Sequence, residues 1–199
     1  MVGPALLIPL YVQNALGLSA LLSGLVIMPG AIINGIMSVF TGKFYDKYGP
    51  RPLIFTGFIL LISCTFLLCF LKVDTSYTYL IVIYAIRMFA VSLLMMPINT
   101  TGINALKTED ISHGTAIMNF GRVMAGSLGT ALMVTFMSIG AQWVVSSSEH
   151  ASKEMIQRQS VAVGVDVSFA LVTVFVIIAF VLALFIKEPN HLTHNSRKV

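Results

Sequence analysis

Gly42-Lys43-Phe44-Tyr45-Asp46-Lys47-Tyr48-Gly49-Pro50-Arg51 stands between two long apolar runs, Ala20 to Thr41 and Leu53 to Leu71, neither of which holds a charged residue. A basic segment so placed reads as a charged hairpin at a membrane surface. The composition around it agrees: 10% of residues are charged and 57% hydrophobic, where a soluble domain carries about 25% charged residues. Lys and Arg outnumber Asp and Glu, 12 to 8. These charges fall between apolar segments and form neither a stripe nor a cluster, which argues against a nucleic-acid partner. Cys64 and Cys69 share one apolar run and read as free thiols, not as a disulfide framework or a metal set.

A spanning helix needs about 20 mostly apolar residues to cross about 30 Å of hydrocarbon. Five stretches meet that length: Ala20 to Thr41, Leu53 to Leu71, Tyr77 to Leu106, Gly114 to Val145 and Val161 to Ile186. The chain therefore reads as an all-α polytopic membrane protein. Met1 to Val12 offers only about 18 Å of helix before Gln13 and Asn14, so it reads as the second half of a span. Residues 1–187 then form one transmembrane bundle with a truncated first helix, and residues 188–199 form a tail.

Orientation follows from the basic residues of the short loops. Lys43, Lys47, Arg51, Lys107, Lys187, Arg197 and Lys198 lie on one side, and Lys72, Lys153 and Arg158 on the other. Segments 42–52 and 107–113 and the tail are expected in the cytoplasm, with 72–77 and 146–160 outside. The cell membrane, a bacterial inner or plasma membrane, is the expected location.

The spans differ in character. Residues 53–71 and 167–186 are almost wholly Leu, Ile, Val, Phe and Ala, which suits peripheral helices. The other three carry Gly, Pro, Asn and Arg, which need protein or water nearby, so they are expected inside. Gly121, Ala125 and Gly129 recur every four residues, with Gly126 beside them, and predict close helix packing. Arg122, within this stripe, is expected to anchor that packing. In the second segment Pro29-Gly30 with Asn34 one turn on has two readings, a bend beside a cavity or a packing kink with Asn34 bonded to a neighbour.

Arg87 and Arg122 each lie about 13 to 15 Å deep, where an ionisable residue is a site candidate. Arg87 shares its segment with Met95, Met96 and Asn99, and methionines adapt to ligands of varied shape. Arg87, Met95, Met96, Asn99 and Asn34 are therefore the expected substrate-cavity residues. Asp166 is the one acidic residue within these spans, and its place near the external end points to a surface or capping role. No span carries a metal-ligand set, paired acidic residues or a Ser/His/Asp set, so no enzyme activity, cofactor or metal is expected.

The order Gly42, Asp46, Lys47, Gly49, Arg51 resembles the cytoplasmic loop signature of the major facilitator superfamily, with Pro50 where a basic residue is often found. Pro9-Leu10-Tyr11-Val12-Gln13, Leu16-Gly17, Ser19, Gly24-Leu25, Met28-Pro29-Gly30, and later Asn119-Phe120-Gly121-Arg122 with Gly126-Ser127-Leu128-Gly129, are similar to the C-terminal half of EmrB/QacA-type fourteen-helix drug/proton antiporters. The resemblance runs from residue 5 to about 140, and departs from the family at Met88-Phe89-Ala90-Val91-Ser92, where a Gly-rich run is usual. It implies a six-helix C-terminal bundle of a proton-driven exporter of amphipathic, often cationic compounds. That bundle would be inactive without an N-terminal half, which usually holds the proton-linked residues. It further implies that Gly42, Asp46, Lys47, Gly49 and Arg51 serve a conformational switch, with Gly42 and Gly49 permitting a tight turn. A carrier of another small solute, and a non-transporting membrane partner or remnant, stay open.

Overall fold

The computed structural model describes residues 2–147 and 153–185, which form α1 (Val2–Asn14), α2 (Ala20–Tyr48), α3 (Pro50–Leu67), α4 (Tyr77–Asn104), α5 (Ile111–Ser147) and α6 (Lys153–Leu184). A short 3-10 turn, Thr108–Asp110, leads into α5. The helices α2 to α6 overlap the five expected spans in order, with ends that differ by up to eight residues, and each is long and apolar enough to cross a membrane. The expected tail 188–199, with Lys187, lies outside the described residues.

The charged segment is less of a loop than its composition suggests. Residues 42–48 continue α2, and the chain reverses at Gly49 alone, whose φ of 80° and ψ of 177° precede Pro50 at the first position of α3. The Gly49 N–H still donates to the Tyr45 carbonyl, at 2.9 Å. A positive φ disfavours any residue with a Cβ, and Pro suits a first helical position because it lacks an N–H to satisfy. Gly42 therefore plays no part in the turn. At 29 residues, α2 is about 43 Å long, so its last two turns project past the hydrocarbon and carry Lys43 and Lys47. The expected outer loop 146–160 is likewise shortened, because α6 is already helical at Lys153.

The bundle is built from two tightly packed units. One unit is the pair α5 and α6; the other is the trio in which α4 packs against α2 on one side and α3 on the other, and α3 also lies along α6. Each pair closes on a glycine. A Cβ on Gly30 would come within 2.8 Å of the Tyr84 ring, and one on Gly57 within 2.8 Å of Leu94 and 3.3 Å of the Ala90 carbonyl. A Cβ on Gly164 would collide with the Met137 carbonyl oxygen, and one on Gly140 would lie 2.9 Å from the Gly164 Cα. Without competing apolar solvation, helices in a bilayer associate through such close backbone approach and through interhelical hydrogen bonds. The Ser168 hydroxyl adds one, at 2.8 Å from the Met133 carbonyl.

These contacts correct the expected distribution of helices. α3, expected at the periphery, is wedged between α4 and α6, with Leu53, Ile54, Gly57, Phe58, Leu61 and Cys64 buried. α6 keeps a lipid-suited face in its second half, where Val174, Phe175, Ile178 and Leu182 are exposed. On α2 and α5 most residues of the expected interior spans are open within this chain.

The outer ends are tied by polar contacts. Tyr11 donates to the Lys72 carbonyl, at 2.5 Å, and Tyr77 to the Leu22 carbonyl, at 2.9 Å. Asp166 accepts from the Leu71 N–H, at 3.0 Å. It takes up a backbone donor just past α3, in line with the capping role expected from its position. An unsatisfied buried N–H costs about 1–3 kcal/mol. Asp166→Ala is therefore expected to lower the thermal midpoint of the purified protein, whereas Asp166→Asn, which keeps the accepting oxygen, stays near wild type. Equal losses in both variants would show that the charge matters and the cap does not.

Candidate functional site

The helices enclose one side of the bundle and leave the other open. α1 packs on both α2 and α5, whereas those two do not touch each other among the described residues. The C-terminal part of α1 lies at the outer end, where Tyr11 donates to the Lys72 carbonyl. Toward the end at Gly49 and Lys107, the face between α2 and α5 is backed by α4.

Arg122 lies on this face, three turns into α5. It is exposed, and a terminal guanidinium nitrogen donates to the Asn99 carbonyl oxygen of α4 at 2.5 Å. No carboxylate among the described residues forms an ion pair with it. One turn earlier on α5, the Met118 methyl would lie 2.9 Å from a Cβ on Gly102, so α4 and α5 meet at Gly102–Met118 and Asn99–Arg122 and diverge beyond. Met96 fills the other side of α4, its methyl 3.1 Å from where a Gly42 Cβ would sit on α2. Gly42 thus admits a methionine between helices and does not form a turn.

The glycine stripe expected to pack has no neighbour here. A Cβ on Gly121 or Gly129 would meet nothing within 4 Å, and Ala125 is exposed with Gly126 half-buried beside it. Arg122 accordingly does not anchor packing against a helix of this chain beyond its bond to Asn99.

Arg87 has the opposite setting. It is 3% exposed, within electrostatic range of Tyr84 and Cys64, and its Nε and one terminal nitrogen have no hydrogen-bond partner. Cys64 belongs to α3 and Tyr84 packs against α2 through Gly30, so Arg87 sits in the bundle interior and not on the open face. Its position on α4 turns it away from Asn99. Asn34 donates to the Met88 carbonyl at 3.2 Å, which is the packing reading of that residue. Met95 packs beside the cluster of Ile54, Phe58, Leu61, Ala90, Val91 and Leu94, against α3. Of the five expected cavity residues, Met96 and Asn99 remain in reach of the open face, and Arg122 joins them.

In the segment expected to serve as a switch, Asp46 and Lys47 are exposed. Lys43 lies over the Phe40 ring at 5.8 Å and Lys47 over the Tyr48 ring at 5.2 Å, an aromatic and basic collar suited to a headgroup zone.

Sequence reading missed Gly140, Gly164 and Ser168. A signal was present, because Ser160, Gly164 and Ser168 repeat every four residues and all three are buried.

The fold is that of a polytopic all-α membrane protein, with one closed and one open helical face among the described residues. Residues 1–130 match the family model of the Major Facilitator Superfamily, and the chain belongs to that superfamily. It is 37% identical over 185 residues to the lincomycin resistance protein LmrB of Listeria monocytogenes, covering 93% of this chain and 39% of that protein. It is 47% identical over 129 residues to the uncharacterized MFS-type transporter YhcA of Bacillus subtilis, covering 65% and 24%. With the multidrug export protein EmrB of Escherichia coli the identity is 29% over 134 residues, covering 67% and 26%. The chain thus spans well under half the length of these relatives.

Proposed function

We propose that this chain acts as the C-terminal bundle of a proton-coupled exporter of amphipathic small molecules, and that it exports nothing until it joins an N-terminal bundle. The observation that carries this reading is the Arg122–Asn99 pair, a polar contact three turns inside a spanning helix on the open face. Intramembrane charge turned toward an interior or a hydrated cavity is characteristic of a translocation path, and transporters place such sites between repeats near the midplane. The names of the relatives, which concern lincomycin resistance and multidrug export, agree in kind. Asp166 is engaged at Leu71, so the proton-accepting carboxylate is assigned to the N-terminal bundle. Gly49, Asp46 and Arg51, at the single reversal between α2 and α3, form the switch segment.

Efflux from proteoliposomes carrying a pH gradient tests the reading. The 199-residue chain alone is expected to show none, and co-reconstitution with a matching N-terminal half is expected to restore it. Efflux by the chain alone would sink the two-bundle requirement. No efflux from the folded pair with any amphipathic dye would favour a non-transporting role or a different solute.

The same proposal places residues 42–52, 107–113 and the tail in the cytoplasm of a cell membrane. In a background lacking Cys64 and Cys69, an impermeant maleimide added to intact cells should modify Lys153→Cys and spare Lys47→Cys. The reverse pattern would invert the topology.

A further inference from the structure

We infer that the Arg122–Asn99 pair is a carboxylate-binding site, so that the substrates this bundle contacts are amphipathic anions. The inference deepens the transport reading and rests on it for the word substrate; binding itself is independent of transport. A guanidinium carries five N–H donors in a planar fork and does not lose its charge in a protein. Asn99 occupies one donor, at 2.5 Å. The amide oxygen is neutral, so it orients the fork without cancelling its charge.

No carboxylate among the described residues pairs with Arg122, and Asp166 is bonded to the Leu71 N–H instead. Within the described residues Arg122 is thus a cation held by a neutral partner, with no carboxylate to neutralise it. A planar oxyanion is the complement of such a fork, because it accepts two parallel hydrogen bonds and supplies the missing charge. A side chain nearby supplies an apolar, adaptable surface. Met118, one turn before Arg122 on the same face of α5, inserts beside Gly102. Flexible thioethers accept apolar bodies of varied shape. A cationic amphiphile would meet like charge here.

A lipid phosphate offers related oxyanion chemistry, and the test separates the two sources. The probes are 11-(dansylamino)undecanoate and its primary amide, which differ only in the terminal group, titrated into the purified chain in phosphatidylcholine nanodiscs. The carboxylate is expected to bind about tenfold more tightly than the amide, in keeping with a charge-assisted hydrogen bond. Arg122→Gln should equalise the two by weakening only the carboxylate. Arg122→Lys, which keeps charge without the fork, should fall between, and Asn99→Ala should weaken the carboxylate while leaving the amide unchanged. Equal affinities in the wild-type chain, or a preference that survives Arg122→Gln, would overturn the inference. So would loss of the preference when phosphatidylglycerol is added, because the phosphate of a lipid would then be the occupant. A preference that depends on Arg122 in an assembly without efflux would uphold the site and remove transport; efflux with equal binding would do the reverse.

Discussion

Gly164→Val is expected to abolish recovery of the folded bundle, whereas Gly121→Val and Gly129→Val leave the yield close to wild type. At Gly164 a Cβ runs into the Met137 carbonyl oxygen, and from the other helix a Cβ on Gly140 would meet the Gly164 Cα at 2.9 Å. These obstacles are backbone, and no rotamer change removes them. The α5–α6 pair could accept the larger residue only by moving apart, which would also break the Ser168 bond to the Met133 carbonyl. Overpacking commonly costs about 1–3 kcal/mol where side chains can yield; here they cannot, and the loss should exceed that range. Gly121 and Gly129 meet nothing within 4 Å, so the chain alone has room for a side chain at either position. The measurement is the monodisperse fraction on size-exclusion chromatography of the purified chain. A Gly121→Val loss as large as that of Gly164→Val would show that the stripe on α5 packs within this chain after all.

The two arginines should separate just as clearly. Arg87→Ala is expected to lower the thermal midpoint strongly, since it empties a large space in the interior, and large-to-small core changes cost about 2–5 kcal/mol. Arg87→Met is expected to raise the midpoint, because it fills most of that space while removing a buried charge with two unpartnered donor nitrogens. Replacing buried ionic groups by apolar side chains of similar volume is often neutral or stabilising, by about 1–4 kcal/mol. Arg122→Ala lies on the exposed face and should stay within about 0.5 kcal/mol of wild type, as surface changes do. A stable Arg87→Ala together with an unstable Arg122→Ala would restore the roles expected from sequence, with Arg87 at the cavity and Arg122 as the packing anchor.

The fate of these residues shows where sequence reasoning reaches its end. Depth in the membrane follows from counting residues along an apolar run, and on that count Arg87 and Arg122 are alike. Azimuth around the helix does not follow, because helices that are apolar on nearly every side carry little moment to reveal which face is inward. Met95 and Met96 make the same point: adjacent in the chain, they turn respectively to the cluster around Phe58 and to Gly42. Spacing of small residues was a sound signal for close packing. It was present twice, and the stripe at Ser160, Gly164 and Ser168 is the one used within this chain.

The sequence by itself determined the all-α polytopic class, the number and order of the spans, a reversal within residues 42–52 and the superfamily. Each depends on local chemistry: apolar length against hydrocarbon thickness, the φ that glycine permits, the donor that proline lacks. Only the tertiary structure decided that α2 runs on to Tyr48, that α3 is enclosed, that Arg87 is interior and that Arg122 meets Asn99 on the open face. Those outcomes depend on how helices rotate against one another, and that rotation is set by the closest backbone approach available to each pair, at Gly30, Gly57, Gly140 and Gly164.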